Sequence, residues 1–285
     1  MVAATNFRHA DETAAGLGIP VEMIGGLPIA VIDRADSARI ITDLAVARRN
    51  SHQPPLIFTS ANGQVLSMCA RHAGIRKAFL DADLVHADGM PIVFASRLFS
   101  RNPLPERIAT TDLFHDVAKV AQGRGTTFYM LGGTNSTIEQ SVRRARAMYP
   151  GLQIVGYRNG YFRRHEEPAV VDAINAVRPD VLWLGMGAPA EQFFAVRNRS
   201  RLHGVGIIKT SGGLFDFLSG KNRRAPKWMR AVGLEWAFRT LLEPRRLAGR
   251  YMMTNPHALY LLLTRTRNSP VYRAAQIDLA AQRRS

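Results

Sequence analysis

The chain has 285 residues, of which 46% are hydrophobic, and this is enough for one large domain or for one domain with an appendage. Its single cysteine, Cys69, excludes an internal disulfide framework and a cysteine-rich metal site, and it favours a reducing compartment. The formal charge of +16 implies an anionic partner, such as nucleic acid, anionic lipid or a phosphorylated substrate.

The N-terminal segment, residues 1–20, is polar and predicts a loose arm. It contains no apolar core of signal-peptide length, and no later stretch approaches about 18 uncharged apolar residues. We therefore expect neither a secretory signal nor a membrane-spanning helix.

After this arm, short apolar runs alternate with helical patterns. Strands are predicted in PPLIFTSAN (54–62), ADLVHADG (82–89), TTFYMLGG (126–133), LQIVGY (152–157), PDVLWLGMG (179–187) and GVGIIKTSGG (204–213). A helical pattern follows each run except the last. The alternation and the near-continuous apolar character of the runs predict an α/β fold, with a Rossmann-like, mostly parallel sheet and helices on both faces.

Beyond about residue 214 the chain becomes helical, basic and aromatic. Residues 221–250 contain nine Lys or Arg against two acids, which gives this window a charge of +7. Trp228, Trp236 and Phe238 are interleaved with the arginines. We predict three parts: the arm at 1–20, an α/β domain at 21–213 and a basic helical appendage at 214–285.

Several predicted strands end in small or polar residues, and ligands of open α/β sheets bind outside the carboxyl ends of the strands. Gly132 and Gly133 end one strand just before a predicted helix, whose free N–H groups attract phosphate. The pair is equally typical of a tight strand-to-helix turn, because it has neither the Walker spacing nor a complete dinucleotide-binding glycine motif.

Asp88 is the single carboxylate between Asp83 and Glu106, and it stands beside a glycine at the edge of an apolar run. Taken alone, an Asp-Gly pair before a helix is more typical of a helix cap than of a catalytic acid. His86 lies two positions earlier on the same face of the strand and could tune Asp88, but packing also accounts for this placement, and we interpret His86 as a bystander.

Eight stretches give the chain a specific resemblance. They are TSANGQ (59–64), ADLVHADGMPIVFASRL (82–98), PERIATTD (105–112), FYMLGG (128–133), YPGLQIVGYRNGYF (149–162), PDVLWLGMGAPAEQF (179–193), SGGLFDFLSG (211–220) and RAPKWMRAVGLEWAFRTLLEPRRLAGRY (224–251). The chain resembles the WecG/TagA/CpsF glycosyltransferase family, also called glycosyltransferase family 26, from about residue 21 to about residue 263. The RAPKW, GLEW and EPxR elements of the last stretch are the most specific part of the resemblance.

The resemblance implies an inverting transferase that uses a UDP-sugar and requires neither a metal nor another cofactor. The implied acceptor is a polyprenyl-diphosphate-linked sugar at the cytoplasmic face of the membrane, and the product belongs to a surface polysaccharide, exopolysaccharide or teichoic acid. The implied partner of the basic appendage is an anionic membrane surface rather than nucleic acid.

Site residues follow from the resemblance by position. Asp88 matches the family's catalytic aspartate, the general base of the transfer. Ser60 and Asn62 match the element that lines the sugar-nucleotide pocket. Arg107 and Asp112 match the next element, in which arginine suits a diphosphate and the acid suits sugar hydroxyls.

The roles of other matching positions are less specific. Gly160 and Tyr161, with Phe162, match a family element that suits either a nucleotide contact or a core role. Thr110 stands where the family usually has glycine, so the local backbone can differ.

Glu191 and Gln192 depart from the family pattern, which usually reads Gln-Glu at these positions. The reversal would pass the usual substrate contact of glutamine to the Glu191 carboxylate, unless Gln192 rotates in. It favours a donor other than N-acetylmannosamine, such as UDP-glucose.

The appendage offers five arginines at matching basic positions. They are Arg223, Arg224, Arg239, Arg246 and Arg250. A charge run is usually a solvated face, but the interleaved tryptophans and a diphosphate substrate favour a functional role, because the guanidinium fork suits diphosphate oxygens.

Two other classes of protein are alternatives to the transferase. A basic nucleic-acid-binding α/β protein would explain the charge, but the sequence has no recognised nucleic-acid-binding motif. A nicotinamide-dependent dehydrogenase would use the same fold, but the chain lacks the glycine motif and the acid about 20 residues further on.

Overall fold

The fold is taken from a computed structural model, which describes residue 14 and residues 16–51 and 53–267, except the side chain of Arg246. Most of the predicted arm and residues 268–285 of the predicted appendage lie outside the described residues. Two compact units contain the described chain. The first unit comprises the described residues up to Asp33, Ala61–Ile108 and the described residues from Arg224 onward; the second comprises Arg34–Ser60 and Ala109–Arg223. The predicted division into arm, domain and appendage stays a prediction.

Eight strands are present among the described residues. They are β1 (Val21–Ile24), β2 (Leu27–Ala30), β3 (Leu56–Ala61), β4 (Leu84–Ala87), β5 (Thr127–Gly132), β6 (Gln153–Arg158), β7 (Val181–Gly185) and β8 (Ile207–Thr210). The first two form an antiparallel hairpin, and the other six form a parallel sheet in the order β4-β3-β8-β7-β5-β6. The predicted Rossmann-like parallel sheet flanked by helices is confirmed, and all six predicted strands are present.

Twelve α-helices are present in the same part of the chain. They are α1 (Arg34–Ala47), α2 (Gly63–Arg71), α3 (Ala73–Leu80), α4 (Met90–Phe99), α5 (Thr110–Arg124), α6 (Asn135–Met148), α7 (Glu167–Val177), α8 (Ala190–Asn198), α9 (Leu214–Leu218), α10 (Lys227–Ala231), α11 (Glu235–Leu242) and α12 (Pro244–Thr264). A helix follows each of the first five predicted strands, as the sequence indicates, and α9 after the sixth begins the stretch predicted as the helical appendage.

The core of the second unit is an aromatic layer on its parallel strands. Trp183 of β7 lies with its ring centroid 5.0 Å from that of Phe114 in α5 and 5.8 Å from that of Phe128 in β5. All three side chains are fully buried. The Phe114–Trp183 pair is edge-to-face, an arrangement that adds to the stabilisation from buried area, so this layer fixes helix α5 against the sheet.

The first unit is assembled from segments that are distant in the chain. Gly25 and Gly26 have φ values of 60° and 86° and form the two-residue turn between β1 and β2. The Gly25 N–H donates to Thr266 Oγ1 at 3.1 Å, which attaches the turn to the segment after α12. Helix α12 also packs on α2, where Ser67 Oγ and His257 Nδ1 are 2.9 Å apart.

Candidate active site

Glycines bring three strand ends together in the second unit. A Cβ atom on Gly132 would lie 2.3 Å from the Gly185 carbonyl oxygen, a distance that excludes any side chain. The Gly133 N–H donates to the same oxygen at 3.2 Å, and the Gly160 N–H donates to the Gly133 carbonyl at 2.9 Å. These glycines therefore serve the close approach of β5, β6 and β7, and their predicted contact with phosphate stays a prediction.

The aromatic residues that follow Gly160 differ in their surroundings. Tyr161 is 78% exposed, so its side chain contributes little to the core. The Phe162 ring centroid is 5.8 Å from that of the buried Phe194, and Arg158 lies over the Phe162 ring. The core role thus fits Phe162, while a nucleotide contact remains the prediction for Tyr161.

A cluster of polar side chains lies at the carboxyl ends of β3 and β8. We call it the polar cluster; its members are Thr59, Ser60, Thr110, Gln192, Lys209 and Thr210. The Lys209 ammonium donates to Ser60 Oγ at 2.8 Å and to the Thr210 carbonyl at 3.0 Å. Ser60 Oγ is 3.1 Å from Thr110 Oγ1, at the start of α5. Ser60 is half-buried, whereas Lys209 and Thr110 are buried.

Lys209 is not among the site residues that we predict from the sequence. A lone charged residue in the run GVGIIKTSGG is a signal for it, because a lysine in a central apolar strand is rare unless it has a specific role.

Gln192 joins the polar cluster from the first turn of α8. It is 2% exposed, and its amide nitrogen donates to Thr59 Oγ1 at 3.1 Å. Thr59 Oγ1 in turn is 2.8 Å from Thr210 Oγ1. The structure thus places Gln192 in a buried network of protein groups, and its contact with substrate stays a prediction.

Glu191, the preceding residue, is 3% exposed, and its carboxylate accepts hydrogen bonds from backbone N–H groups. The Gly212 N–H is 2.9 Å from one carboxylate oxygen, and the Gly187 N–H is 3.2 Å from the same oxygen. Burial raises the pKa of Glu191 to about 7, against the opposing effect of these N–H groups and of the Lys209 charge. Its predicted contact with sugar hydroxyls stays a prediction.

We expect Glu191→Gln to remove a pH dependence from the stability of the protein. Between pH about 4.5 and about 7 the folded state keeps the Glu191 proton that the unfolded state has lost, so the free energy of unfolding falls as the pH rises. The fall is at most about 3–4 kcal/mol, at about 1.4 kcal/mol per pKa unit. Urea unfolding at several pH values measures it, with the exposed Glu139→Gln as the matched control. Parallel curves for wild type and Glu191→Gln would contradict the expected pKa.

Asp112 lies in the first turn of α5 and is half-buried. Its carboxylate is 3.9 Å from Arg34 Nη1, and Arg34 also pairs with Asp116. An acid in the first helical turn interacts favourably with the helix dipole, so this position has a structural role beside the predicted contact with sugar hydroxyls.

Asp88, in the first unit, directly follows β4. Its backbone N–H donates to the Ala61 carbonyl at 2.7 Å, and its side chain is half-buried. The N-cap residue of α4 is Gly89, so Asp88 precedes the N-cap position. The backbone at the candidate base is thus fixed by a short hydrogen bond at a strand end.

Asn62 has a capping role in the same unit. It is the N-cap of α2, and its side-chain oxygen accepts from the Val65 N–H at 3.1 Å. A Cβ on Gly89 would lie 3.6 Å from Asn62 Cβ, so the turn after β4 passes close to Asn62. The cap fixes the orientation of the amide that the sequence assigns to the sugar-nucleotide pocket.

Glu235 joins two of the predicted arginines. Arg107 Nη1 is 2.8 Å from one Glu235 oxygen, and Arg224 Nε is 3.1 Å from the other. The Glu235 and Arg107 side chains are 19% and 12% exposed, so the arrangement is partly desolvated. Two arginines thus share one carboxylate in this ion-pair cluster. Glu235 is not among the residues predicted from the sequence, because Arg107 lies 128 positions away.

The other appendage arginines are spread over different surroundings. Arg223 is exposed in the second unit, and Arg239 is half-buried in α11. Arg250 is half-buried, and its guanidinium lies over the Tyr251 ring at 4.8 Å. The side chain of Arg246 lies outside the described residues. Their contacts with a diphosphate stay predictions.

Helices α10–α12 present apolar side chains to solvent. They are Trp228, Trp236, Leu241, Leu242, Met252, Met253, Leu259, Tyr260 and Leu263. No helix in the described part of the chain is both long and apolar enough to cross a membrane. Within the same residues, no group of three or more His, Cys, Asp or Glu side chains is placed to hold a metal ion.

Comparison with known proteins identifies the family. The model of the glycosyl transferase WecG/TagA/CpsF family matches residues 22–271. The chain belongs to this family, as the resemblance predicts, and it is therefore a glycosyltransferase.

Two relatives are N-acetylglucosaminyldiphosphoundecaprenol N-acetyl-beta-D-mannosaminyltransferases. The protein from Bacillus spizizenii is 29% identical over 244 residues, which cover 85% of this chain and 92% of the relative. The protein from Bacillus subtilis is 26% identical over 216 residues, which cover 76% of this chain and 82% of the relative.

Proposed function

We propose that the protein is an inverting hexosyltransferase that moves a hexose from a UDP-sugar to a polyprenyl-diphosphate-linked sugar. The product would be an intermediate of a surface polysaccharide, exopolysaccharide or teichoic acid. The family match over residues 22–271 carries the proposal, and both relatives are named for a diphosphoundecaprenol-linked acceptor.

Asp88 is the proposed general base. Its carboxylate takes the proton of the acceptor hydroxyl while that oxygen forms a bond to the anomeric carbon of the donor. The bond from that carbon to the UDP oxygen breaks, and UDP leaves with the electron pair on the opposite face, which inverts the configuration. The position of Asp88 at a strand end, with its backbone held by the Ala61 carbonyl, supports this role.

The arginines are proposed to stabilise charge without a metal. Negative charge develops on the departing UDP, and preorganised guanidinium groups aimed at it would stabilise the transition state. The Arg107–Glu235–Arg224 cluster holds two guanidinium groups in a partly desolvated setting, which strengthens such an interaction. This supports Arg107 and Arg224 as diphosphate contacts.

The proposed location is the cytoplasmic face of the plasma membrane, with peripheral attachment. Helices α10–α12 combine exposed apolar side chains with basic residues, a composition typical of elements that lie at a lipid surface. Each basic residue near an anionic leaflet contributes about 1 kcal/mol. The acceptor proposed here is anchored in the same membrane.

A donor screen tests the proposal. Radiolabelled UDP-hexoses, including UDP-glucose and UDP-N-acetylmannosamine, are incubated with the protein and a lipid-diphosphate-linked sugar in anionic vesicles. We expect transfer from one UDP-hexose, an unchanged rate in EDTA, and sedimentation of the protein with anionic but not with neutral vesicles at low salt.

Each arm of the screen can fail separately. Absence of product with every UDP-hexose would reject the proposed reaction. A rate that EDTA abolishes and Mn²⁺ restores would reject metal independence, and equal sedimentation with neutral vesicles would reject the anionic surface as the partner.

A further inference from the structure

Lys209 places an ammonium group inside the apolar core of the second unit. Its register partners are Phe58 in β3 and Trp183 in β7, and all three side chains have 0% exposure. Partners in register on parallel strands share one face of the sheet, so the lysine stem lies in an aromatic layer. A charged amine is costly to bury there, and an apolar side chain of similar length would fill the position at a lower cost.

A hydrogen bond to Ser60 connects the Lys209 ammonium with the carboxyl end of the sheet. Ser60 is two residues beyond Phe58 in β3, on the same face, and its Oγ lies 2.8 Å from Lys209 Nζ. Within the polar cluster Ser60 is half-buried, while Lys209 itself is fully buried. A ligand at this strand end would therefore meet the Ser60 hydroxyl rather than the ammonium.

The chemistry of the two groups fixes the direction of their hydrogen bond. An ammonium group has three donors and no acceptor, so Ser60 Oγ must accept from Lys209. The single Ser60 proton is then available to Thr110 Oγ1, 3.1 Å away, or to a ligand oxygen. A hydroxyl that accepts from a cation is polarised and becomes a stronger donor.

We propose that Lys209 is a positioning residue that holds the Ser60 hydroxyl as a hydrogen-bond donor to an oxygen of the donor substrate. The inference rests on the proposed function, because it places Ser60 against the sugar-nucleotide. Lys209 acts through Ser60, so its removal should change the binding of the donor and leave the binding of the acceptor unchanged.

A double-mutant cycle tests the coupling of Lys209 to Ser60. Wild type, Lys209→Met, Ser60→Ala and the double variant are compared by UDP calorimetry and by transfer kinetics. We expect Lys209→Met to weaken UDP binding and to raise the donor KM by about tenfold, as for a lost hydrogen bond to a charged group. The acceptor KM should stay within about twofold, and Lys209→Met should add no further loss to Ser60→Ala.

Two further variants distinguish a positioning role of Lys209 from an effect on folding and from an effect of the lost charge. Lys119→Met removes an exposed lysine of the same unit and should behave as wild type. Lys209→Gln keeps a donor to Ser60 without the charge, so its donor KM should lie between those of wild type and Lys209→Met. If Lys209→Met does not fold, the comparison of Lys209→Gln with Ser60→Ala decides the same question.

The failures of the two proposals are distinguishable. If wild type binds UDP and transfers sugar, a Lys209 variant with an unchanged donor KM overturns the positioning role and leaves the proposed function intact. Losses that add fully in the double variant also overturn it. If wild type neither binds UDP nor transfers from any UDP-hexose, the proposed function fails and the assignment of Lys209 fails with it.

Discussion

Asp88→Asn is expected to lower turnover by about 10²–10⁴-fold, the usual effect of removing an acid/base group. The amide has nearly the same shape as the carboxylate but cannot take the proton of the acceptor hydroxyl. The fold should be kept, because the substitution leaves the size of the side chain nearly unchanged and the backbone N–H keeps its hydrogen bond to the Ala61 carbonyl. Transfer rates at saturating donor and acceptor measure the effect.

Asp81→Asn is the matched control for this substitution. Asp81 is a half-buried acid of the same unit that pairs with Lys77, outside every predicted site position. The control should keep wild-type turnover, and UDP binding should be unchanged in both variants. Turnover of Asp88→Asn close to that of wild type would remove Asp88 from the mechanism.

Arg107→Ala is expected to lower turnover by about 10²–10³-fold, the range for losing one preorganised charge-stabilising donor. Arg107 is 12% exposed, so its charge acts in a partly desolvated setting where electrostatic interactions are stronger than in water. Glu235 keeps Arg224 as a partner in the variant, and the carboxylate is therefore not left buried without a cation. Transfer kinetics should show a lower kcat.

Arg97→Ala controls for the lost charge, since Arg97 is an exposed arginine of the same unit. Thermal unfolding of both variants should stay close to that of wild type. A loss of activity in Arg107→Ala that matched a loss of folded protein would indicate a structural role and would contradict the proposed stabilisation of the leaving group.

The parallel strands were predictable because each is a short apolar run that ends in small or polar residues. The hairpin β1–β2 was not predicted, although Gly25 and Gly26 between apolar residues are a signal for a two-residue turn. Its closing contacts come from Thr266 and Arg265, which no local pattern of the sequence connects with it.

Candidate site positions such as Asp88 and Arg107 can be read from single family elements, and their roles stay predictions. The partners of those positions cannot be read in this way, because they lie far away in the chain. Lys209 is 149 positions from Ser60, and Glu235 is 128 positions from Arg107. The buried Glu191 carboxylate likewise accepts from the Gly212 N–H, which is 21 positions further on.

The segments of the first unit are synthesised at widely separated times. Gly25 is synthesised 241 residues before Thr266, an interval of roughly 10–50 s at about 5–20 residues per second. The second unit ends at Arg223, so all its segments are available before α12 exists. Until α12 is synthesised, the hairpin lacks its contacts with Thr266 and Arg265, and the face of α2 that packs on α12 stays uncovered. We therefore expect the chain to be most prone to aggregation in this interval.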